Sequence, residues 1–499
     1  MTPTRASLQA LARQPHRLVL IGLTALAAIL RLGTLDLQSF WADEASTVQL
    51  LHLDLPSLLR AIPHNEGTPP VYYVVAWGWT QLFGTGEVGL RSLSALAGIA
   101  VVPVSYAAAA ELCSRRVALG VAALAAVNPI LIWYSQEARA YSLVVLLGTI
   151  TVWAFARLLK SPDRGRAVVW FLASALALAT HYFAAFLVAS EAVWLLAERR
   201  TRRWAAPAVA GLAVVGLALI PLAVDQLQLG VASWITATGS LPYRAARSAK
   251  QALLGFDAPL EDLLTLVTAA LAGAGLVFAL RFANGEDRRG LRIAAVLAAG
   301  AVGVPLALAA VGRDYIDVRN LLVAWCLLAV LIAGGLVSVR AGRGGLAALF
   351  ALCLIEASAT IGVELEPSWQ REDWRGAASA LGSSGQPRAL VIQPNFGVEA
   401  MQVYLPGTRP MPQSGASVRE IDFVTTVVRS GADVHPEPPP HAAAPPVPGF
   451  RCVERRYEKS YTLIRLRAES PHWVWPRPLE AYGLSDNSEP GALLIPAKQ

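Results

Sequence analysis

The sequence predicts an all-α polytopic membrane protein of about eleven transmembrane helices, followed by a small C-terminal α/β domain outside the bilayer. Three observations predict it. Of 499 residues, 55% are hydrophobic and only 15% are charged, whereas a soluble domain is about one quarter charged. The apolar residues fall into runs of bilayer-crossing length. Of the 32 prolines, 18 lie after residue 361, which marks a second compositional regime. A mean hydropathy of +0.47 is more than a soluble core needs. The composition excludes a soluble single domain and a disordered chain. Four cysteines in 499 residues exclude a disulfide scaffold.

The apolar runs lie near 18–35, 92–110, 117–134, 140–156, 167–181, 183–197, 204–222, 260–280, 293–311, 320–337 and 345–361. The pair at 167–197 reads either as two short spans turning at His181-Tyr182 or as one long helix. Charge sets the orientation. With the N-terminus in the cytoplasm, the inner segments hold 19 Lys/Arg in 60 residues and the outer loops 8 in 111, a strong positive-inside bias. The net charge of +7 therefore marks topology, because most arginines flank apolar segments, and no nucleic-acid partner is expected. Residues 69–83 are apolar, but counting them as a span would put Arg199, Arg200, Arg202 and Arg203 outside. They read as a helix at the outer interface, where Tyr and Trp are at home. The 18–30 stretch has no clear small-residue cleavage site after it and reads as an uncleaved signal anchor.

This parity gives two domains: 1–361, membrane-embedded with a large first outer loop 36–91, and 362–499, extracytoplasmic. In the latter, 435–449 (HPEPPPHAAAPPVPG) reads as a Pro-rich loop. ALVIQP (389–394) and YTLIRLRA (461–468) read as strands and GVEAMQVYL (397–405) as a helix. The Ala-, Arg- and Pro-rich composition suggests a GC-rich bacterial genome, hence a bacterial inner membrane.

Ionisable residues concentrate at the outer ends of the spans, and such residues at membrane depth are costly. The first outer loop is too long for a plain connection. It carries Trp41-Ala42-Asp43-Glu44, a helix-like stretch at 46–60, and His64-Asn65-Glu66-Gly67-Thr68-Pro69-Pro70. These carboxylates suit a general base or a cation site; equally, Asp43 and Glu44 suit the first turn of a helix. Trp133 to Tyr141 includes Glu137 and Arg139, either an ion pair or a polar floor with Arg139 free to meet an anion. Arg313-Asp314-Tyr315-Ile316-Asp317-Val318-Arg319 places two arginines against the charge bias. Either they pair with Asp314 and Asp317 or they meet phosphate, the natural partner of guanidinium. His181 lies in a short outer turn, and Arg31 is placed to snorkel from the first span. The sequence carries no P-loop, strand–helix GxGxxG, HExxH or paired half-helix pattern.

In order, the chain reads DE in the first outer loop, PPVYY, LFGTGEVGLRSLSALAG, NPILIWYSQEARAYSL, ATHYFA and VRNLLVAW. Together these motifs resemble the GT-C glycosyltransferase superfamily over roughly residues 18–340. The nearest likeness is to bacterial relatives of the protein O-mannosyltransferases and the lipid A aminoarabinose transferase. EDWRGAASAL (372–381) is similar to the segment that opens the outer domain of such proteins. The resemblance implies a polyprenyl-phosphate sugar donor, membrane lipid around it, and an acceptor protein, lipid or glycan. It implies Asp43 as general base with Glu44 beside it and Glu66 near a second acidic position. Arg91, Glu137, Arg139, His181, Arg313, Tyr315 and Arg319 become candidates for binding the donor phosphate or shaping the site. A divalent cation held by Asp43 and Glu66 is compatible with the pattern but not required. Many relatives have His-Pro-Pro where this chain has Thr68-Pro69-Pro70, so no role of that histidine is carried over, and His64 is no substitute. Direct attack on the anomeric carbon would invert it. The competing readings are a lipid-linked-sugar flippase, which would need polar groups through the full membrane depth, and a non-catalytic envelope-assembly scaffold. The middles of the spans are mostly Ala, Leu and Val.

Overall fold

The computed structural model describes residues 15–230, 233–283, 285–426, 444–480, 482, 484 and 491–496. The chain forms two compact units, Met1–Leu35 with Asp54–Gly362, and Asp36–Leu53 with Val363–Gln499. In chain order the helices begin with α1 (Pro15–Leu32), α2 (Ala42–Leu51), α3 (Leu55–Asn65), α4 (Val71–Phe83), α5 (Glu87–Leu112), α6 (Arg115–Val127) and α7 (Pro129–Ser135). They continue with α8 (Tyr141–Lys160), α9 (Arg164–Leu178), α10 (Ala184–Ala197), α11 (Arg199–Gln228), α12 (Ser233–Ala237), α13 (Leu241–Leu254) and α14 (Glu261–Phe282). After α15 (Gly285–Ala298), a π-helical turn leads into α16 (Val304–Ala310). Then come α17 (Val318–Leu321), α18 (Trp325–Leu336) and α19 (Gly342–Leu365).

Among the described residues, eight helical runs are long and apolar enough to cross a membrane. They are α1, α5, α8, α11, α14, Asp287–Ala310, Val318–Leu336 and α19; α6 and α7, bent by 55°, make a ninth if counted together. All eleven apolar runs are thus largely helical, but length and composition support eight or nine spans rather than eleven. The difference is the pair at 167–197. It forms two helices, α9 and α10, of 15 and 14 residues, each short of the roughly 20 that a bilayer needs. Helix α4, at 13 residues, spans only about 20 Å. The core of this unit is a stack of small and branched side chains in which α5 packs on α8, α6 and α1, and α18 packs on α14, α15 and α6. Close approach of α14 and α18 requires glycine: a Cβ on Gly335 would overlap the Gly275 carbonyl oxygen.

The single helix expected over 46–60 is broken at 52–54. Asp54 caps α3 by accepting from the Ser57 N–H at 2.7 Å, and Pro56 lies in its first turn, where a missing N–H costs nothing. Residues 36–53, read from sequence as part of one outer loop, belong to the second unit. Ser39 Oγ donates to the Glu372 carbonyl at 2.6 Å and accepts from Trp374 N–H at 3.0 Å. Tyr404 Oη accepts from Phe40 N–H at 2.6 Å, and Ser46 donates to Glu399.

In the second unit, α20 (Trp374–Leu381), α21 (Gly397–Tyr404) and α22 (Pro476–Glu480) accompany a six-stranded sheet. Its strands are β1 (Arg388–Gln393), β2 (Thr408–Pro410), β3 (Ala416–Thr426), β4 (Arg451–Tyr457), β5 (Tyr461–Val474) and β6 (Ala492–Pro496). The spatial order is β2-β6-β1-β3-β5-β4. Only β1 and β3 are parallel, with Val391 opposite Phe423; every other pairing is antiparallel. The expected strands at 389–394 and 461–468 and the helix at 397–405 are β1, β5 and α21. Strand β1 is buried along its whole length, as a central strand covered on both faces should be. One face packs Trp374, Ala378 and Met401 with Ala45 of α2. Of the expected Pro-rich loop, residues 435–443 lie outside the described residues.

Gly335→Ala should lower stability by about 1–3 kcal/mol through overpacking. Gly344→Ala, whose Cβ meets nothing within 4 Å, should stay within about 0.5 kcal/mol. Thermal unfolding of the detergent-purified protein compares the two.

Candidate active site

The membrane unit gathers its conspicuous polar residues in two adjoining groups. The first is built around Glu66, the residue that ends α3, and Arg139, in the turn before α8. Arg139 Nη1 and Nη2 donate to Glu66 Oε1 and Oε2 at 2.8 and 2.9 Å. Both side chains are at least 90% buried. Two parallel charge-assisted bonds are the strongest geometry this pair can adopt. The Tyr73 ring lies under the guanidinium at 6.0 Å, and its hydroxyl meets Thr68 Oγ1 at 3.2 Å. Burial, chiefly, holds the Tyr73 phenol well above its ordinary pKa, so it stays protonated. Gln226 of α11 donates to the Thr68 carbonyl at 3.0 Å and accepts from Tyr182 Oη at 2.6 Å. Of the two alternatives open for Arg139, an ion pair or a guanidinium free to meet an anion, the structure shows an ion pair, made with Glu66. The 66–70 segment and the 136–139 turn come together through this pair, which sequence separation hides.

The second group centres on Arg319. Its guanidinium lies 4.4 Å from the Trp234 ring centroid and 5.9 Å from that of Tyr141. Nη1 donates to Tyr141 Oη at 3.1 Å, and Nε lies 3.4 Å from Asp317. Aromatic faces stabilise a cation by their quadrupole. Arg247 approaches Asp317 at 3.9 Å. Arg244 grips Asp314 with both terminal nitrogens, one of them at 3.0 Å, and this bond holds the Asp314 carboxyl below its ordinary value. The expected pairing of Arg313 and Arg319 with Asp314 and Asp317 thus holds only for Arg319. Arg313 is exposed. Tyr315 is half-buried, 6.4 Å from the Phe183 ring. Arg244, Arg247 and Trp234 escaped the sequence reading. The three cationic residues of 223–259, against the outer-loop charge bias, were the available signal.

His181 stands beside this group, its ring 5.9 Å from that of Tyr141. Its Nδ1 accepts from Phe183 N–H at 3.3 Å, which leaves the proton of the neutral ring on Nε2. Burial first, then the charges of Arg319 and Arg139, bring its pKa down from 6.5 to about 4.

The remaining candidates are placed elsewhere. Arg91 is buried in α5 and donates to the Leu35 carbonyl at 2.9 Å. Glu137 is buried in the same turn as Arg139. Arg31 does not snorkel: it is fully buried and its guanidinium donates to backbone carbonyls. In the second unit, Asp43 is half-buried in the first turn of α2. Glu44 is buried and accepts from Trp41 N–H at 3.5 Å, the capping role that its position allowed. Among the described residues no three His, Cys, Asp or Glu side chains are grouped to hold a metal ion. Glu66 has both oxygens bonded to Arg139.

Comparison with known proteins gives this arrangement a context. Residues 67–224 match the model of the dolichyl-phosphate-mannose-protein mannosyltransferase family. No curated protein sequence matches the chain. The fold is similar to that of ArnT from Cupriavidus metallidurans bound to undecaprenyl phosphate. That likeness has a TM-score of 0.55 and 13% identity, and covers 89% of this chain and 97% of ArnT. The apo form of that protein matches equally, at 14% identity. The oligosaccharyltransferase AglB from Archaeoglobus fulgidus, in complex with an inhibitory peptide and a dolichol-phosphate, matches with a TM-score of 0.50. Its identity is 13%, over 79% of this chain and 64% of AglB.

Because the folded state binds fewer protons at His181 than the unfolded state between pH about 4 and 6.5, stability should rise with pH across that window and be lost as pH falls through it. Thermal melts from pH 4.5 to 7 should show a shallower slope for His181→Gln. Residues 67–224 thus carry the sequence pattern of that mannosyltransferase family, and the chain has the fold seen in ArnT.

Proposed function

We propose that the chain is a glycosyltransferase of the bacterial inner membrane that moves a sugar from a polyprenyl-phosphate donor to an acceptor hydroxyl on the external face. The observation that carries this reading is the likeness to ArnT over nearly the whole of both chains, in a structure that holds undecaprenyl phosphate. The mannosyltransferase family match supports it, because it spans Arg91, Glu137, Arg139 and His181.

The chemistry follows from the residue types. The acceptor oxygen attacks the anomeric carbon, the bond from that carbon to the phosphate oxygen breaks, and the carbon inverts. Asp43, matched by its motif, takes the hydroxyl proton as general base. The polyprenyl phosphate leaves as an anion and needs no acid. Arg319, steadied by Trp234 and Tyr141, is the residue best built to bind that phosphate and stabilise its growing charge. The Glu66–Arg139 pair acts on shape: it fixes the 66–70 segment against the 136–139 turn. His181, held neutral, supplies a hydrogen-bonding edge without adding charge. No step is routed through a metal ion.

The test is turnover in a lipid-reconstituted sample with a panel of labelled polyprenyl-phosphate hexoses and pentoses, supplemented with cell-envelope extract as acceptor. One donor should be consumed by the wild type. Asp43→Asn should abolish turnover while donor binding persists. Arg319→Lys should weaken donor binding about ten- to hundredfold, as expected for loss of a charge-assisted, aromatic-supported contact. Failure of every donor to bind would overturn the reading.

A further inference from the structure

We propose that Arg31 is a positioning residue, which holds open the break between α6 and α7 and so sets the turn that carries Arg139. Its expected effect on donor binding rests on the transferase reading above; its effect on the backbone does not.

The break is written in the sequence. Pro129 has no N–H, so the Ala125 carbonyl, which a continuous helix would satisfy from position 129, has no amide to accept from. At the same point Leu131 N–H turns to the side chain of Asn128, at 3.3 Å, and the helix axis bends by 55°. Carbonyls released at membrane depth have no water to fall back on. Arg31, fully buried in α1, meets them: Nη2 donates to the Ala125 carbonyl at 2.8 Å and Nη1 to the Ala126 carbonyl at 2.9 Å. Its Nε donates to Ser135 Oγ at 3.2 Å, at the other end of α7. The guanidinium therefore ties the last turn of α6 and the last residue of α7 to α1.

The neighbouring residues are shaped around that contact. Gly98 of α5 has no side chain where a Cβ would overlap Ser135 Oγ and lie 3.1 Å from Arg31 Nε. Ser135 Oγ donates onward to the Leu131 carbonyl at 2.5 Å. Gln136 extends the grip, donating to Thr34 Oγ1 at 2.7 Å and to the Leu30 carbonyl at 3.1 Å. Three residues later comes Arg139, bonded through both terminal nitrogens to Glu66. The connection from Arg31 to that pair runs through α7 and Gln136. A lysine cannot imitate the fork: its ammonium is a point donor, whereas the two carbonyls and the hydroxyl need three divergent N–H vectors.

The experiment uses the full chain in lipid, with Arg31→Lys, Arg31→Gln, Arg139→Lys and the double variants. Amide hydrogen exchange over 129–139 should accelerate at least tenfold in Arg31→Gln and less in Arg31→Lys, with 325–336 unchanged. Donor binding should weaken at least tenfold in Arg31→Gln. The loss caused by Arg139→Lys should shrink in the Arg31→Gln background, because the turn it acts from is already released. Unchanged exchange at 129–139, a uniform rise in exchange across both segments, or strictly additive losses in donor binding would each overturn the proposal. If the wild type binds no donor, the transferase reading fails, and the exchange data alone decide the role of Arg31.

Discussion

The interaction on which the membrane unit most depends is the Glu66–Arg139 pair. Its two charges have almost no access to water, and each alone would be strongly unfavourable at that depth. Together, with both carboxylate oxygens and both terminal nitrogens matched, they form a neutral and rigid strut. Truncating either partner would cost about 3–5 kcal/mol, most of it for the charge left behind. The strut joins chain segments some seventy residues apart and brings Tyr73, Thr68, Gln226 and Tyr182 into one continuous set of hydrogen bonds. Residues that the sequence distributes over a loop, two turns and two helices thereby acquire fixed positions.

Much of the membrane unit was legible because lipid imposes a simple rule. Every spanning segment must be apolar and satisfy its own backbone, so length and hydropathy reveal the helices. The rule says less where the backbone departs from it. The bend at Asn128–Pro129 falls within what reads as one uninterrupted apolar run, and a buried arginine was needed to satisfy it. Arg31 looked like a snorkelling residue because a single sequence shows how far a residue lies from a helix end but not which carbonyls lie opposite it.

The second unit was legible only in part, for a different reason. Strands β1 and β5 announce themselves by apolar or alternating residues. Strand β4, RCVERRY, is charged and largely exposed, as an edge strand should be, and carries no apolar alternation to find. The likeness of Arg313 and Arg319 in sequence is just as uninformative: both flank the same short acidic segment, yet one points to solvent and the other lies on the Trp234 ring. What separates them is the approach of α12 and α13, a tertiary event. The ordered motifs identified the fold, while the contacts among their side chains had to be seen.

Because Asp36–Leu53 packs into the same compact unit as Val363–Gln499, that unit is assembled from the early and late portions of the chain. During synthesis, α2 emerges long before its partners α20 and α21. At about 5–20 residues per second, roughly 18–70 s pass before Trp374 and Met401 arrive to cover Ala45. Through that interval an apolar helix face waits uncovered while all the intervening helices are inserted. Translation order thus makes this unit the last to close, and a ribosome that stops early leaves a marked, unfinished surface for quality-control proteases to recognise.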